Sequence, residues 1–324
     1  MRNDVLRRGD LVEVRSASEI LGTLDDAGAL DAVPFMPEMI ELCGRRFVVD
    51  RRAEKVCDTV NTTLRSRHLP DTVFLGEERC DGSSHDGCQA ECRPLWKEAW
   101  LRKVAPGEPT TGTRDGDDAV AALRQRTEPN TRRTADDGTT RYRCQATEMA
   151  LASTPLSNGD PRPYLRELTS RNVSLGKFIR VMSRAVVWQP AHHFGRAPWP
   201  KGPNTKSPKG EPLDLQTGEW VRVKLRRDVE ATLTPGGANR GLHFDTEMAA
   251  FCGQEMQVRG RVTRIIEEPT GKMLEFGSDC IKLDSAFCSG ERSTGRWFCA
   301  REIYPYFREC WLERIPTPVA AAKE

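Results

Sequence analysis

Two widely separated stretches of this chain alternate apolar and polar residues. In LVEVR, which begins at Leu11, and in WVRVK, which begins at Trp220, every second side chain is apolar. Alternation with a period of two is typical of a β-strand that buries one face and exposes the other. A glycine and an acidic residue precede each stretch. The pattern therefore predicts the first strand of two β-rich units.

The two stretches belong to a longer internal repeat. Residues 9–57 align without gaps on the segment that begins at Gly218, a shift of 209 positions. Matching segments continue downstream at shifts of 208 and 211, and small changes of this kind are what loop insertions produce. We therefore predict a tandem duplication. The matched pairs include Val12 with Val221, Glu38 with Glu247, Cys43 with Cys252, Cys80 with Cys288, Cys88 with Cys299 and Trp100 with Trp311.

Short helices are predicted after the first strand of each copy. Pro37 is suited to the first turn of a helix in PEMIELCG, and Gly44 would end that helix. In the second copy, Asp245 is suited to cap DTEMAAFCG at its N-terminus. Upstream, Ser18 is followed three residues later by Leu21, so no capping box is predicted there.

A hairpin is predicted in the second copy, where QVRGRVTRII and MLEFG flank the turn EEPTGK. Short strands at this spacing favour a small barrel, and the opening G-[DE]-x-V-x-V resembles the first strand of SH3-like barrels. The expected fold class is α+β and β-rich, with two related small SH3-like β-barrel repeats. A helical middle segment and a Pro/Gly linker would join them.

Four segments follow from these patterns. The N-terminal Cys-rich repeat is expected at 9–104, and the C-terminal repeat at 218–315. Between them, 105–188 contains a polar stretch, predicted as a loop to residue 140, and then helical patterns that form a connector. Residues 189–217 are dense in proline, glycine and lysine, which is typical of a linker.

Charge and hydropathy exclude several partners. The 324 residues include 49 basic and 47 acidic side chains, a net charge of +2, so bulk charge gives nucleic-acid binding no support. No apolar run approaches about 18 residues, so no membrane span is expected. The first residues, MRNDVLRRGD, are charged where a signal peptide needs an apolar stretch. These features predict a cytoplasmic protein.

Eleven cysteines in a chain without an export signal favour metal ligands, reactive thiols or core residues over disulfides. Cys43 and Cys252 each end an apolar helix and are interpreted as core residues. The first copy has two further cysteines where the second has isoleucine. The candidate set of four thiolates for a metal or cofactor is Cys57, Cys80, Cys88 and Cys92.

This set could hold a zinc ion or an iron–sulfur cluster. The intervening spacings of 22, 7 and 3 residues contain no CxxC knuckle and match neither a zinc ribbon nor a ferredoxin. The irregular loop with its glycines suits a bulky cofactor, which slightly favours an iron–sulfur cluster over zinc. His85 lies in the same loop and is a further candidate ligand, as is Cys144 outside both repeats. The alternative is four unligated core cysteines, but three of them lie in a polar Asp/Ser/Gly/His loop that is poorly suited to burying thiols.

A second candidate site in the C-terminal half comprises Cys280, Cys288 and Cys299, with Cys310 as a possible fourth ligand. Three thiolates with an open position would let substrate or water reach the metal. The alternative is a copy that has lost its metal and keeps cysteines for structural reasons.

The chain contains no phosphate-binding Gly-rich loop, HExxH, GxSxG or dinucleotide fingerprint. Three function classes remain. The first is a Cys-ligated metalloprotein with a redox or sulfur-related role, acting on a small-molecule substrate or with a partner enzyme. The second is a zinc-stapled scaffold that binds a partner without catalysis. The third, nucleic-acid binding through the barrels, is the least supported.

The segments EILGTLDDAGALDAVPFMPEM and RCDGSSHDGCQAEC resemble a group of duplicated, Cys-rich bacterial proteins. The resemblance covers most of both repeats. It implies a place in a biosynthetic gene neighbourhood, and it brings no activity or catalytic residue with it.

Overall fold

Both alternating stretches form strands within antiparallel sheets. The structure is a computed structural model that describes residues 5–60, 65–109, 116–157, 159–194 and 199–318. With 22% strand and 24% helix, it confirms a mixed α+β class. The SH3-like barrels are wrong, because none of the sheets in these ranges closes into a barrel. Each larger sheet instead ends on two different edge strands, so it remains open.

The chain divides into two units. Unit 1 comprises Met1–Met182, Ile266–Leu274 and Gly295–Arg301. Unit 2 comprises Ser183–Ile265, Glu275–Thr294 and Glu302–Glu324. Most of the predicted connector, 105–188, therefore belongs to unit 1, together with two short segments from the C-terminal half.

The strands are short. In the first half they are β1 Leu11–Val14, β2 Ala29–Leu30, β3 Val33–Pro34, β4 Arg46–Arg52, β5 Val56–Cys57, β6 Ser66–His68, β7 Thr72–Leu75, β8 Trp96–Lys97, β9 Leu101–Lys103, β10 Arg132–Thr134, β11 Thr140–Tyr142 and β12 Thr154–Pro155. In the second half they are β13 Trp220–Val223, β14 Ala238–Asn239, β15 Leu242–His243, β16 Glu255–Arg261, β17 Arg264–Ile266, β18 Met273–Glu275, β19 Ile281–Leu283 and β20 Leu312–Arg314.

The α-helices are α1 Ala17–Leu21, α2 Asp117–Thr127, α3 Met149–Ala152, α4 Arg162–Thr169, α5 Leu175–His193 and α6 Arg226–Glu230. Short stretches of 3-10 helix occupy Pro37–Leu42, Ser83–His85, Glu98–Trp100, Glu128–Thr131, Met248–Phe251 and Glu309–Trp311. Among the described residues, no helix is both long enough and apolar enough to cross a membrane.

Unit 1 is organised around a five-stranded sheet in the order β8-β7-β4-β1-β9. Val12 of β1 lies opposite Phe47 of β4 on one side and Lys103 of β9 on the other. Because side chains alternate along the strand, Val12 and Val14 are both buried. They pack in one core with the fully buried indole of Trp100.

Unit 2 contains a four-stranded sheet in the order β19-β16-β13-β20. Its strand pairing matches that of unit 1 at positions that are 209 residues apart in sequence. Val221 lies opposite Met256, just as Val12 lies opposite Phe47. The register shifts after Val49 in one sheet and after Val258 in the other. Equivalent positions of the predicted duplication thus have equivalent places in their own sheets.

A tryptophan–threonine hydrogen bond occurs in both cores. Trp100 donates from Nε1 to Thr23 Oγ1 at 3.0 Å, and Trp311 donates in the same way to Thr232 at 2.9 Å. We expect Thr23→Val to destabilise the protein by about 1–3 kcal/mol, because the buried indole N–H loses its acceptor. Chemical denaturation should give a similar loss for Thr232→Val. A loss below about 0.5 kcal/mol in both variants would contradict this reading.

Several local predictions need correction. Helix α1 does begin with a capping box, but Ser16 and Glu19 form it rather than Ser18. Helix α2 lies inside the predicted polar loop, where its Ala, Leu, Arg and Gln residues favour helix and Leu123 is buried. Helix α5 extends to His193, five residues into the predicted linker. Pro37 does begin a helical turn, as predicted.

Candidate metal centre

One loop in unit 1 carries most of the chemistry. It connects β7 to β8, which are paired, so its two ends are held together. Cys80 N–H donates to the carbonyl of Cys92 at 2.8 Å and closes the loop at its base. Within it, Cys88 N–H donates to the carbonyl of His85 at 3.1 Å. Gly82 has φ +73°, a left-handed conformation that glycine adopts without strain.

Five cysteines from four separate segments of unit 1 lie around this loop. Cys57 ends β5, Cys88 and Cys92 belong to the loop, Cys144 follows β11, and Cys299 lies in the segment Gly295–Arg301. We call these five residues the thiol cluster. All five are free thiols, and Cys57 and Cys299 are buried.

Cys57 and Cys299 are in direct contact. The backbone N–H of Cys57 donates to Cys299 Sγ at 3.1 Å. The Cys299 thiol donates a hydrogen bond to the Cys57 sulfur, and this bond lowers the pKa of Cys57. The charges of Arg301 and Arg296 lower it as well, against the effect of burial. These contacts favour a thiolate, the form in which cysteine binds metals.

A buried ion pair lies beside the thiol cluster. Arg301, only 5% exposed, donates to both carboxylate oxygens of Glu268 at 2.6 and 3.2 Å. Its Nη1 also donates to Thr59 Oγ1 at 2.7 Å and lies 4.0 Å from Cys57 Sγ. The charge of Arg301 lowers the pKa of Cys57 and of Cys92, against the effect of burial. The pair thus places a positive and a negative charge next to the sulfurs, and the two have opposite effects: Arg301 favours thiolates, whereas Glu268 disfavours them.

The remaining sulfurs are within electrostatic reach of one another. Burial, the Glu268 carboxylate and the sulfurs of Cys144 and Cys88 together raise the pKa of Cys92 to about 12. Burial also raises the pKa of Cys144 to about 11, with Glu268 and Cys88 adding to the effect. Ile266 N–H donates to Cys88 Sγ at 3.4 Å. The thiols of Cys92 and Cys144 stay protonated at neutral pH unless a cation binds and displaces their protons.

A second group of ligating side chains lies at the start of the loop. The ligand atoms of Glu38, Cys80 and His85 all lie within 4.8 Å of one another, and we call this group the Glu38 triad. Cys80 Sγ donates to Glu38 Oε1 at 3.3 Å, and Ser84 Oγ donates to Glu38 Oε2 at 2.7 Å. His85 is buried, and its Nε2 lies 3.2 Å from the carbonyl of Arg143.

The structure divides the predicted four-thiolate set. Cys57, Cys88 and Cys92 belong to the thiol cluster, whereas Cys80 belongs to the Glu38 triad. The other two candidate ligands also have definite places: Cys144 joins the thiol cluster, and His85 joins the triad.

The predicted second site is redistributed. Cys280, Cys288 and Cys310 lie in unit 2, whereas Cys299 lies in unit 1 against Cys57. The reason is that the segment Gly295–Arg301 packs on the β5 region, where Ala300 N–H donates to the carbonyl of Lys55 at 3.0 Å.

The equivalent of the Glu38 triad in unit 2 lacks its histidine. Glu247 and Cys288 correspond to Glu38 and Cys80, and Ser293 stands where the first copy has His85. Glu247 accepts hydrogen bonds from Ser289 N–H and Oγ, Arg292 N–H and Ser293 Oγ, at 2.6 to 3.2 Å. Its carboxylate is thus fully satisfied by the protein.

Three functional residues escaped the sequence analysis. Glu38 had a signal, because the duplication repeats this acid at Glu247 beside apolar residues of a predicted helix. Arg301 and Glu268 had none, since the ion pair joins positions 33 apart in sequence that are brought together only by the fold.

A buried Lys–Glu pair lies next to the thiol cluster. Burial lowers the pKa of Lys55 to about 8 and raises that of Glu167 to about 8. The Lys55 ammonium also lies 3.6 Å from the ring centre of Tyr164. Glu167 Oε2 accepts a hydrogen bond from Asn172 Nδ2 at 2.8 Å.

We expect Glu167→Gln to remove a pH dependence of stability. The folded-state pKa of Glu167 lies above its ordinary 4.5, so burial costs little below that pH and progressively more as the pH rises to about 8. Relative to the glutamine variant, the wild type should lose about 3.5 kcal/mol between pH 5 and pH 8. Urea denaturation at both values tests this, and parallel curves for the two proteins would refute it.

The comparisons with known proteins leave the site to be interpreted from its own residues. No family model matches this chain, and no similar chain is found among curated proteins or solved structures.

Proposed function

We propose that this protein is a Cys-ligated metalloprotein that holds an iron–sulfur cluster on thiolates of unit 1 and uses it in redox or sulfur chemistry. The observation that carries the proposal is the thiol cluster itself. Cysteines from four separate segments converge beside a buried arginine–glutamate pair. Thiolates gathered in this way are the donors that an iron–sulfur cluster requires.

The spacing of the sulfurs favours a cluster over a single zinc ion. Four thiolates 2.3 Å from one tetrahedral zinc are about 3.8 Å apart. Among the described residues, the His, Cys, Asp and Glu side chains that approach within 4.8 Å in a group of three are those of the Glu38 triad. No three described residues of the thiol cluster form such a tight group, and the cysteines of a four-iron cluster each bind a different iron, which separates their sulfurs more widely than one zinc does. We assign Cys57, Cys88, Cys92 and Cys144 as its ligands.

The surroundings of the sulfurs also suit such a cofactor. The backbone N–H of Ile266 donates to the sulfur of Cys88, and hydrogen bonds to ligand sulfurs raise the reduction potential of iron–sulfur centres. Arg301 supplies a positive charge that offsets the negative charge of thiolate ligands. When bound, the cluster would supply one-electron chemistry, and Cys299 would position Cys57 by its hydrogen bond.

Serine variants of the ligands test the proposal. After anaerobic purification of the full chain, we expect visible absorbance in the wild type and loss of at least about 90% of it in Cys92→Ser and Cys144→Ser. Cys252→Ser, in unit 2, is the matched control and should keep the absorbance. One zinc per chain without sulfide, lost in the same two variants, would replace the cluster with a zinc staple. Unchanged metal content in both variants would refute a Cys-ligated centre here.

A further inference from the structure

The Glu38 triad is a second cluster of ligating side chains, and it contains only one cysteine. Cys80 contributes sulfur, His85 nitrogen and Glu38 oxygen, the three donor types that zinc accepts. Two ligands of a tetrahedral zinc, one sulfur and one oxygen, lie about 3.6 Å apart. Cys80 Sγ and Glu38 Oε1 lie 3.3 Å apart, so a shift of a few tenths of an ångström would accommodate the ion.

The imidazole of His85 is held ready to bind. A carbonyl oxygen accepts hydrogen bonds, so His85 Nε2 must carry the proton that it donates to Arg143. The lone pair therefore lies on Nδ1, and the ring cannot rotate without losing its partner. Histidine ligands of metal sites are held by such a bond to a carbonyl or carboxylate in most proteins. His85 is only 1% exposed, so this orientation is enclosed by the protein.

The site opens on a cleft. Glu38, Ser83 and Ser84 line a cavity of about 780 Å³, and Arg124 and Arg132 also line it. An ion bound by Glu38 would have protein ligands on its inner side and the cleft on the other. Zinc sites that act on substrates have this arrangement: three protein ligands hold the ion, and water or a small ligand can reach the fourth position.

We propose that Glu38, Cys80 and His85 form a zinc site, separate from the thiol cluster, whose fourth coordination position faces this cleft. Unit 2 offers an internal comparison for the proposal. There Ser293 replaces the histidine, and four hydrogen bonds from serine and backbone donors satisfy Glu247. In unit 1, Glu38 accepts hydrogen bonds from the Cys80 thiol and from Ser84, which lies in the same helical turn as His85. A cation can bind the carboxylate, the sulfur and the imidazole directly.

Zinc content of the full chain tests the proposal. We expect one zinc per chain after dialysis against zinc and then buffer, with at least tenfold weaker binding in Cys80→Ser and Glu38→Gln. Cys288→Ser, the equivalent change in unit 2, should bind as the wild type does. Iron and sulfide content should be the same in all four proteins, so failure of the zinc site and failure of the cluster are told apart.

Cobalt substitution of the wild type gives a readout that does not depend on folding of a variant. Tetrahedral cobalt with one thiolate ligand should show strong visible bands and one sulfur-to-cobalt charge-transfer band. Weak bands of octahedral cobalt, or zinc retained at full affinity by both Cys80→Ser and Glu38→Gln, would overturn the proposal.

Discussion

Gly82→Ala is expected to disrupt the loop that carries both candidate metal sites. Gly82 has φ +73°, and a β-carbon on it would lie 2.8 Å from the backbone nitrogen of Cys88 and still closer to its carbonyl oxygen. Both atoms are backbone, so the loop itself would have to move. We expect unit 1 to lose about 3 kcal/mol of stability and at least about 90% of its bound metal.

Gly87→Ala provides the matched control in the same loop. Gly87 has φ +77°, so alanine there meets a similar conformational penalty, but its β-carbon would have no neighbour within 4 Å. The expected loss is about 1 kcal/mol, with the metal retained. Thermal unfolding and metal analysis of both variants separate the conformational penalty of a positive φ from the effect of the close approach to Cys88. Equal losses in the two proteins would show that conformation, rather than the close approach to Cys88, sets the effect.

Arg301→Met is expected to be the most damaging single change among the charged residues. It leaves the Glu268 carboxylate partly buried without its cation, and it removes the charge that favours the thiolate of Cys57. Breaking one partner of a buried ion pair costs about 3–5 kcal/mol. Denaturant unfolding of the metal-free chain should show a loss in this range.

The double variant Arg301→Met with Glu268→Gln distinguishes a broken ion pair from general damage to packing. With both charges removed, no unpaired ion remains, so we expect at least half of the lost stability to return. The metal content should stay low, because the positive charge beside the sulfurs is still missing. A double variant as unstable as Arg301→Met alone would argue against the ion pair as the cause.

The sequence predicted the central strands because their pattern is local. LVEVR and WVRVK became β1 and β13, each at an inner position of its sheet. The same pattern could not show how the sheets end, since alternation reports that one face is buried and not whether the edge strands meet. For that reason the barrels were wrong while the strands were right.

The candidate site was partly predictable for a related reason. The loop containing Cys80, His85, Cys88 and Cys92 could be recognised because its residues are close in sequence. Its division into two groups depends on partners that only the fold brings near, namely Glu38 on one side and Cys299 on the other. No spacing in the sequence relates these residues, so they had to be found in three dimensions.

Helix α2 shows the limit of composition as a guide. Its segment is rich in charge, which favoured a loop, yet acidic residues in the first turn and arginines in the last suit the helix dipole. The buried Leu123 and the partly buried Val120 join it to the core. Two such positions are too few to reveal a helical period.

The most direct test of the central claim is the iron and acid-labile sulfide content of the full chain, purified without oxygen. The account predicts iron and sulfide in equal amounts, at least two of each per chain, with zinc present separately at about one per chain. A folded protein that contains neither iron nor sulfide, purified from cells supplied with iron, would contradict it.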